Sequence, residues 1–250
     1  MTLTAWQVLY EQRAFWRNRV RAFFAIGFPL LFLVIISALN HGGRSDGLPF
    51  DVVWVPGVLA YAVVIATFTN LAVETARMRD AGVLKRLQGT PLPTSVFLAG
   101  RIGSALIVAA LVSVLSLAVG AVFFGVAIQL DTLPGLIAAL VGGTACFTAL
   151  GLGVARIIPN ADAAPAVVNV LIIPLTFISG VWVSTNGEPA LLLHIAQVFP
   201  LEHLAHWLRA SLDPRTAGPG LNAGDIINLT LWTFAGVRLT QRFLRATMSA

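Results

Sequence analysis

The sequence predicts an all-α integral membrane protein with six membrane-crossing helices. Three observations carry that expectation. Only 11% of the 250 residues are charged, 16 basic and 11 acidic, where a water-soluble domain has about a quarter. Residues of the AVILMFWYC set reach 57% and the mean hydropathy is +0.85. Long apolar runs recur along the chain, and a helix needs ~20 such residues to cross a ~30 Å hydrocarbon core, so 250 residues with their loops hold about five to seven spans. This composition excludes a soluble enzyme, a disordered chain and a disulfide scaffold. The single cysteine, Cys146, leaves no intrachain disulfide and no multi-cysteine metal site, and its apolar, Gly-rich surroundings fit a small packed residue.

The N-terminal stretch 1–21 is too long and too aromatic for the basic leader of a signal peptide. Gln7, Glu11, Asn18 and Arg21 share one helical face, and Trp6, Leu9, Trp16 and Val20 lie near the opposite one, interrupted by Arg13. That pattern predicts an amphipathic interface helix lying in the inner headgroup layer. The first span is expected at 22–39, followed by the turn-rich loop 40–51. The second covers 52–73, entered through Pro56 and Gly57. A 28-residue polar segment, Glu74–Arg101, holds Arg77, Arg79, Lys85, Arg86 and Arg101. The third span covers 102–124. The fourth covers 133–155, where Gly142, Gly143, Gly151 and Gly153 permit close helix contacts. After a turn at 156–162 the fifth covers 163–183, with Pro165 and Pro174 favouring a kink or break. Two short helical patterns, ALLLHIAQVF and LEHLAHWLRASL, are too short to cross and fit re-entrant or interfacial helices. The sixth span, 221–239, must start near Leu221 or let Arg238 snorkel.

Charge orients this arrangement. With six spans, one side holds Arg13, Arg17, Arg19, Arg21, Arg77, Arg79, Lys85, Arg86, Arg101, Arg156, Arg238, Arg242 and Arg245; the other holds Arg44, Arg209 and Arg215. Cytoplasmic loops concentrate Lys and Arg, so both termini are expected in the cytoplasm. The same basic surplus suits anionic headgroups rather than nucleic acid in so apolar a chain. No internal repeat or boundary divides residues 1–250, and a single transmembrane domain is expected.

Intramembrane catalysis needs polar groups at depth, and the middles of spans one to five hold no acid or base. Glu74, Arg101, Arg156 and Asp162 lie at their ends, and His41, His194, His203 and His206 lie in outward loops. No catalytic residue is therefore assigned. Glu202, His203 and His206 share a helical segment, but two histidines and one acid make a weak metal set, and no metal site is assigned. The only lysine, Lys85, lacks a following Ser or Thr and so forms no P-loop. The chain is expected to bind no cofactor, and ATP with Mg²⁺ would sit on another subunit.

The 74–101 segment carries the most information. Arg79–Gln88 can form a short helix ended by Gly89, with Pro91 and Pro93 preventing its continuation. Val83, Leu84 and Leu87 cluster on it, ringed by Arg79, Lys85 and Arg86. An apolar knob with a basic rim suits docking in a partner's groove; anchoring to the inner leaflet by charge is the alternative reading.

Gly82-Val83-Leu84-Lys85-Arg86-Leu87, Thr90-Pro91-Leu92-Pro93 and Gly100-Arg101 resemble the cytosolic loop signature of ABC-2 type permeases, the membrane subunits of ABC exporters. The resemblance extends through Pro56-Gly57, Ser179-Gly180-Val181-Trp182, Phe199-Pro200-Leu201-Glu202-His203-Leu204 and Leu208-Arg209, in the family's order over roughly residues 50–215. It implies two permeases side by side, identical or paralogous, each docking a nucleotide-binding ATPase. Residues around Gly82–Pro91, with Arg79 and Thr90, would form the coupling helix on that ATPase. Residues 4–21 would flank it as interface helix, and residues 189–212 would form an outer re-entrant pair. The first and the fifth or second spans would line the path at the dimer interface. The family's sixth span is commonly longer and cleaner than the stretch between Asp225 and Arg238.

The cargo follows from the path. Thr67, Thr69, Asn70, Asn169 and Thr176 with many aliphatic groups and almost no charge favour an apolar or amphiphilic, drug-like or lipid-like substrate. The functional expectation is thus a multi-pass permease of a prokaryotic inner membrane that exports such molecules. The alternatives are an ion-coupled secondary carrier and an integral membrane scaffold or enzyme.

Overall fold

Thr2 opens the first helix by accepting a hydrogen bond from the Ala5 amide at 3.4 Å, and α1 runs Leu3–Arg17. Asn18 leaves helical geometry at φ −89°, ψ 87° and its Oδ1 accepts from the Arg21 amide at 3.0 Å, which starts a second helix. The expected interface stretch therefore divides at Asn18. Trp6, Leu9 and Trp16 belong to α1, whereas Val20 opens the long helix α2 (Arg19–Leu39). The computed structural model describes residues 2–45, 47–83, 86, 89, 90, 92–182 and 190–248, with backbone alone at 94, 190, 193 and 243–248.

Beyond α2, a two-residue hairpin pairs β1 (Arg44–Ser45) with β2 (Leu48–Pro49). Helix α3 (Phe50–Asp80) and helix α4 (Thr94–Phe124, 31 residues) both outrun the apolar windows. At 1.5 Å per residue α4 is about 46 Å long, against ~30 Å of hydrocarbon. The expected 28-residue polar segment thus narrows to a connection of residues 81–93. The polar residues after Glu74 are good helix formers, so α3 continues until Gly82, whose φ of +67° ends it. The single helix expected over Arg79–Gln88 is interrupted there: Arg79 lies on α3, and helical backbone resumes at Val83 and Arg86. Leu84, Lys85, Leu87, Gln88 and Pro91 lie outside the described residues.

Helix α5 (Leu133–Val154) matches its expected span, and α6 (Ala164–Ile178) follows. Pro165 occupies the first turn of α6, where no amide donor is needed, and the helix continues unbroken through Pro174. Helices α7 (Ala190–Ala196) and α8 (Pro200–Leu212) precede α9 (Ala223–Met248). Asn222 caps α9 by accepting from the Gly224 amide at 2.9 Å, which places its start near the expected Leu221. Among the described residues, four helices are long and apolar enough to cross a membrane: α2, α3, α4 and α5. Helix α6 is apolar but shorter, and α9 falls outside the apolar set.

The helices divide into a centre and a periphery. Most of the apolar window is buried in α3 (78%) and α5 (61%), against 28% in α2 and 33% in α4. Small residues set the central contacts. A Cβ on Gly151 would stand 2.7 Å from the Phe68 carbonyl oxygen, and one on Gly236 would stand 2.8 Å from the Ala149 carbonyl carbon. Gly151 thus joins α5 to α3, and Gly236 joins α9 to α5. Gly143 receives Leu204 of α8, whose Leu201, Leu204 and Leu208 are fully buried. The amphipathic α8 is accordingly docked into the bundle by its leucine face.

Candidate functional site

The connection 81–93, which carries Lys85 and Arg86, emerges from a stem that is fastened on two sides. On one side, Arg79 donates to three carbonyl oxygens of the turn between α5 and α6: Ala155 at 3.0 Å, Ile158 at 2.7 Å and Pro159 at 3.1 Å. Its neighbour Asp80 pairs with Arg79 at 3.1 Å and accepts from the Ala161 amide in the same turn. Three carbonyls and a carboxylate match the several donors of a planar guanidinium. The end of α3 and the turn entering α6 are therefore joined by a charge-assisted network.

On the other side, Arg101 of α4 is 4% exposed. It lies 3.9 Å from the Glu11 carboxylate, donates to Thr75 Oγ1 at 3.5 Å and sits over the Phe97 ring with its guanidinium carbon 5.8 Å from the centroid. Glu11 is on α1 and Thr75 on α3, so one side chain unites the amphipathic helix with both helices of the stem. Gln12 of α1 adds donations to the Ser104 carbonyl at 2.9 Å and hydroxyl at 3.1 Å. Side-chain-free surface permits this approach, since a Cβ on Gly103 would meet Val8 at 2.8 Å.

Beside the stem, a groove of about 460 Å³ opens between α2, α3 and the start of α6. At its mouth Arg21 pairs with Glu74 at 3.1 Å, and Asn70 and Arg77 also line it. Phe24, Ala25 and Ile65 provide apolar walls.

At the opposite, hairpin end, three of the motifs noted in the sequence meet. A Cβ on Gly57 would overlap the Val181 carbonyl oxygen, so only glycine lets α3 pass there. Arg209 of α8 donates to the Gly180 carbonyl, and Gly180 itself adopts φ +64° to close α6. Trp182 packs edge-on against Phe32 at 5.1 Å and lies tilted against Tyr61 at 4.8 Å. Near this junction, the Asp225 carboxylate accepts from Nδ1 of His203 at 2.7 Å and Nδ1 of His206 at 2.9 Å. His203 also faces the Gln197 carbonyl through Nε2 at 2.9 Å. A carboxylate and a carbonyl can only accept, so His203 must donate from both ring nitrogens and is an imidazolium in this geometry. Its pKa is raised accordingly, first by the hydrogen bond to Asp225 and against the opposing effect of burial.

These features coincide with a known sequence family. The sequence model of the ABC-2 type transporter family matches residues 3–212. The chain belongs to that family. No curated protein matches the chain. As an ABC-2 type permease it is a multi-pass membrane protein and a transport subunit, and the helical, apolar architecture agrees with that membership.

The permease distributes its sequence-named residues unevenly. Of the coupling set, Arg79 is turned inward onto the α5–α6 turn, whereas Arg86 and Thr90 are exposed and Gly82 and Val83 half-buried. Leu84, Lys85, Leu87 and Pro91 lie outside the described residues. Trp6, Trp16 and Val20 are exposed, 55%, 49% and 67%. The residues named for the path stand in different surroundings within the chain. Thr67 is buried, with its hydroxyl donating to the Val63 carbonyl at 2.6 Å, and Thr176 is buried with a bond to Ile173 at 2.8 Å. Asn169 is exposed, and Asn70 lines the groove beside Thr69. The sequence reading missed the Arg79–Asp80 network, the buried Arg101 and the two-histidine clasp on Asp225. In the sequence each joins residues too far apart for helical spacing to pair them.

Proposed function

We propose that this permease is the membrane-spanning half of an ATP-driven exporter, taking apolar or amphiphilic molecules out of the cytoplasm with energy from a separate ATPase subunit. One observation carries the reading. The stem of the basic connection is anchored both to the turn entering α6, through Arg79 and Asp80, and to α1 and α4, through Arg101. A loop on so rigid a base can pass a push from a docked partner into several helices at once. Six spans, with α6 and α9 completing the set, would place the basic end and both termini in the cytoplasm of a prokaryotic inner membrane.

In this reading residues 82–91 seat on the ATPase, with Leu84 and Leu87 as apolar contacts and Lys85 and Arg86 as charges. Two copies, or this chain and a paralogue, pack side by side. Nucleotide binding draws the two loops together, and the helices rock as rigid units about the shared interface. The ATPase can drive this only by contacting the two permease states differently. Among the described residues the buried carboxylates are Asp51 and Asp225, both in the first turns of helices at the hairpin end. That position gives little support to an ion relay through the bundle, the chemistry an ion-coupled carrier requires.

The two readings separate in inside-out vesicles from the native membrane, with the chain present or deleted, using a fluorescent amphiphilic dye. Accumulation that requires this chain, needs ATP, stops with vanadate and survives a protonophore is the expected result. Chain-dependent accumulation that needs no ATP and collapses with the protonophore would establish the carrier instead.

A further inference from the structure

We propose that the groove between α2, α3 and the start of α6 is a binding site for the phosphate headgroup of an anionic membrane phospholipid. The inference rests on the reading above only in placing the basic end at the inner leaflet.

Polarity changes along the groove in the same direction on both of its long walls. On α3, Ile65 gives way to Thr69 and Asn70, then, past Val73, to Glu74 and Arg77. Twelve residues separate Ile65 from Arg77, about 18 Å of helix, comparable to a headgroup with the upper part of its acyl chains. On α2, which runs the opposite way, the apolar Phe24 and Ala25 give way to Arg21 and, past the exposed Val20, to Asn18 just before the helix. A soluble anion would use only the mouth, and an apolar molecule only the depth. A membrane amphiphile uses both.

The charges at the mouth select an anion. Glu74 pairs with Arg21 at 3.1 Å, so these two cancel. Arg77 is exposed, and its guanidinium makes no hydrogen bond or ion pair among the described residues. One unpaired guanidinium matches one phosphodiester charge and can bind it through two parallel N–H donors. Arg21 Nε and Thr69 Oγ1 are buried without a hydrogen-bond partner among the described residues, and both residues line the groove.

The backbone is also unusual here. The two π-helical turns of the described structure, Phe23–Gly27 and Ile65–Thr69, each contribute lining residues, Phe24 with Ala25 and Ile65 with Thr69. Such turns occur frequently at functional sites, and two independent helices place theirs at one groove.

Native mass spectrometry of the purified full chain tests this, with dioleoyl-phosphatidylglycerol and dioleoyl-phosphatidylcholine as probes. The wild type is expected to retain the anionic lipid in preference to the zwitterionic one. Arg77→Gln should lower that retention about fivefold, the effect of removing one cation from a headgroup site, and Arg77→Lys should keep most of it. Arg156→Gln removes the same charge from an exposed position at the same end and should leave retention unchanged. Equal retention of the two lipids by the wild type, equal losses in Arg77→Gln and Arg156→Gln, or displacement of the lipid by equimolar inorganic phosphate would each overturn the proposal. ATP-dependent dye accumulation measured in parallel keeps the two readings apart. Intact transport without lipid preference removes only this site, and lipid preference without ATP dependence removes only the exporter.

Discussion

Arg79, at the end of α3, donates to the Ile158 carbonyl at 2.7 Å, across 79 positions of sequence. With Asp80 holding the Ala161 amide, this contact ties the end of α3 to the turn that enters α6. Arg79→Gln removes the charge and most of the donors while leaving α3 helical. Hydrogen bonds to charged groups contribute about 1.5–3 kcal/mol, and partial exposure puts this one near the lower end. The purified permease is expected to melt several degrees lower, and ATP-driven dye accumulation to fall more than the amount of folded protein does. Unchanged accumulation in a folded Arg79→Gln variant would show that the network is structural only.

Helix contacts at Gly151 and Gly236 give a second expectation. A Cβ at either position meets backbone within 2.8 Å, whereas one at Gly142 finds nothing nearer than 3.7 Å. Gly151→Ala and Gly236→Ala should each cost about 1–3 kcal/mol by overpacking, seen as aggregation on size-exclusion chromatography or a lowered melting point. Gly142→Ala should be neutral or slightly stabilising, because alanine is the better helix former.

Much of the fold was legible because hydropathy marks where a helix is in lipid. The apolar run beginning at Leu133 located α5, and of the four glycines after it Gly143, Gly151 and Gly153 do make close contacts while Gly142 stands clear. Hydropathy does not mark where a helix ends in water. The helix-forming residues from Glu74 to Asp80 therefore looked like a loop, and so did Thr94–Arg101 at the start of α4. Arg79 read as part of a docking rim because it stands near Lys85 and Arg86, and only the fold shows it bonded to carbonyls of a distant turn. Asp225 read as a span boundary, since nothing in its spacing links it to histidines 19 and 22 residues earlier. The motifs at Gly57, Gly180 and Arg209 were legible as pieces, and their mutual contact gives the physical reason for each.

The clasp on Asp225 makes stability depend on pH. His203 has a raised pKa in the folded chain, chiefly through its hydrogen bond to Asp225. Its contribution is full below the ordinary imidazole value of about 6.5 and is lost as pH rises through the elevated folded value. The melting point should therefore fall on moving from about pH 6 to about pH 9, and His203→Gln should flatten that dependence. His206, half exposed and bonded to the carboxylate through one nitrogen, should have the smaller effect when replaced by Gln. A pH profile identical in wild type and His203→Gln would remove the imidazolium assignment.

The most direct test of ATP coupling is hydrolysis by the complex itself. Tagged permease purified from native membranes in mild detergent, with whatever subunits remain attached, is assayed for vanadate-sensitive ATP hydrolysis. A parallel preparation carries Leu84→Asp and Leu87→Asp together, changes in the polar connection that leave the spans untouched. Hydrolysis that accompanies the wild type and is lost from the double variant, with equal yields of folded permease, is the result expected of an ATPase seated on residues 82–91. Equal hydrolysis in both preparations, or none with the wild type, would contradict that coupling.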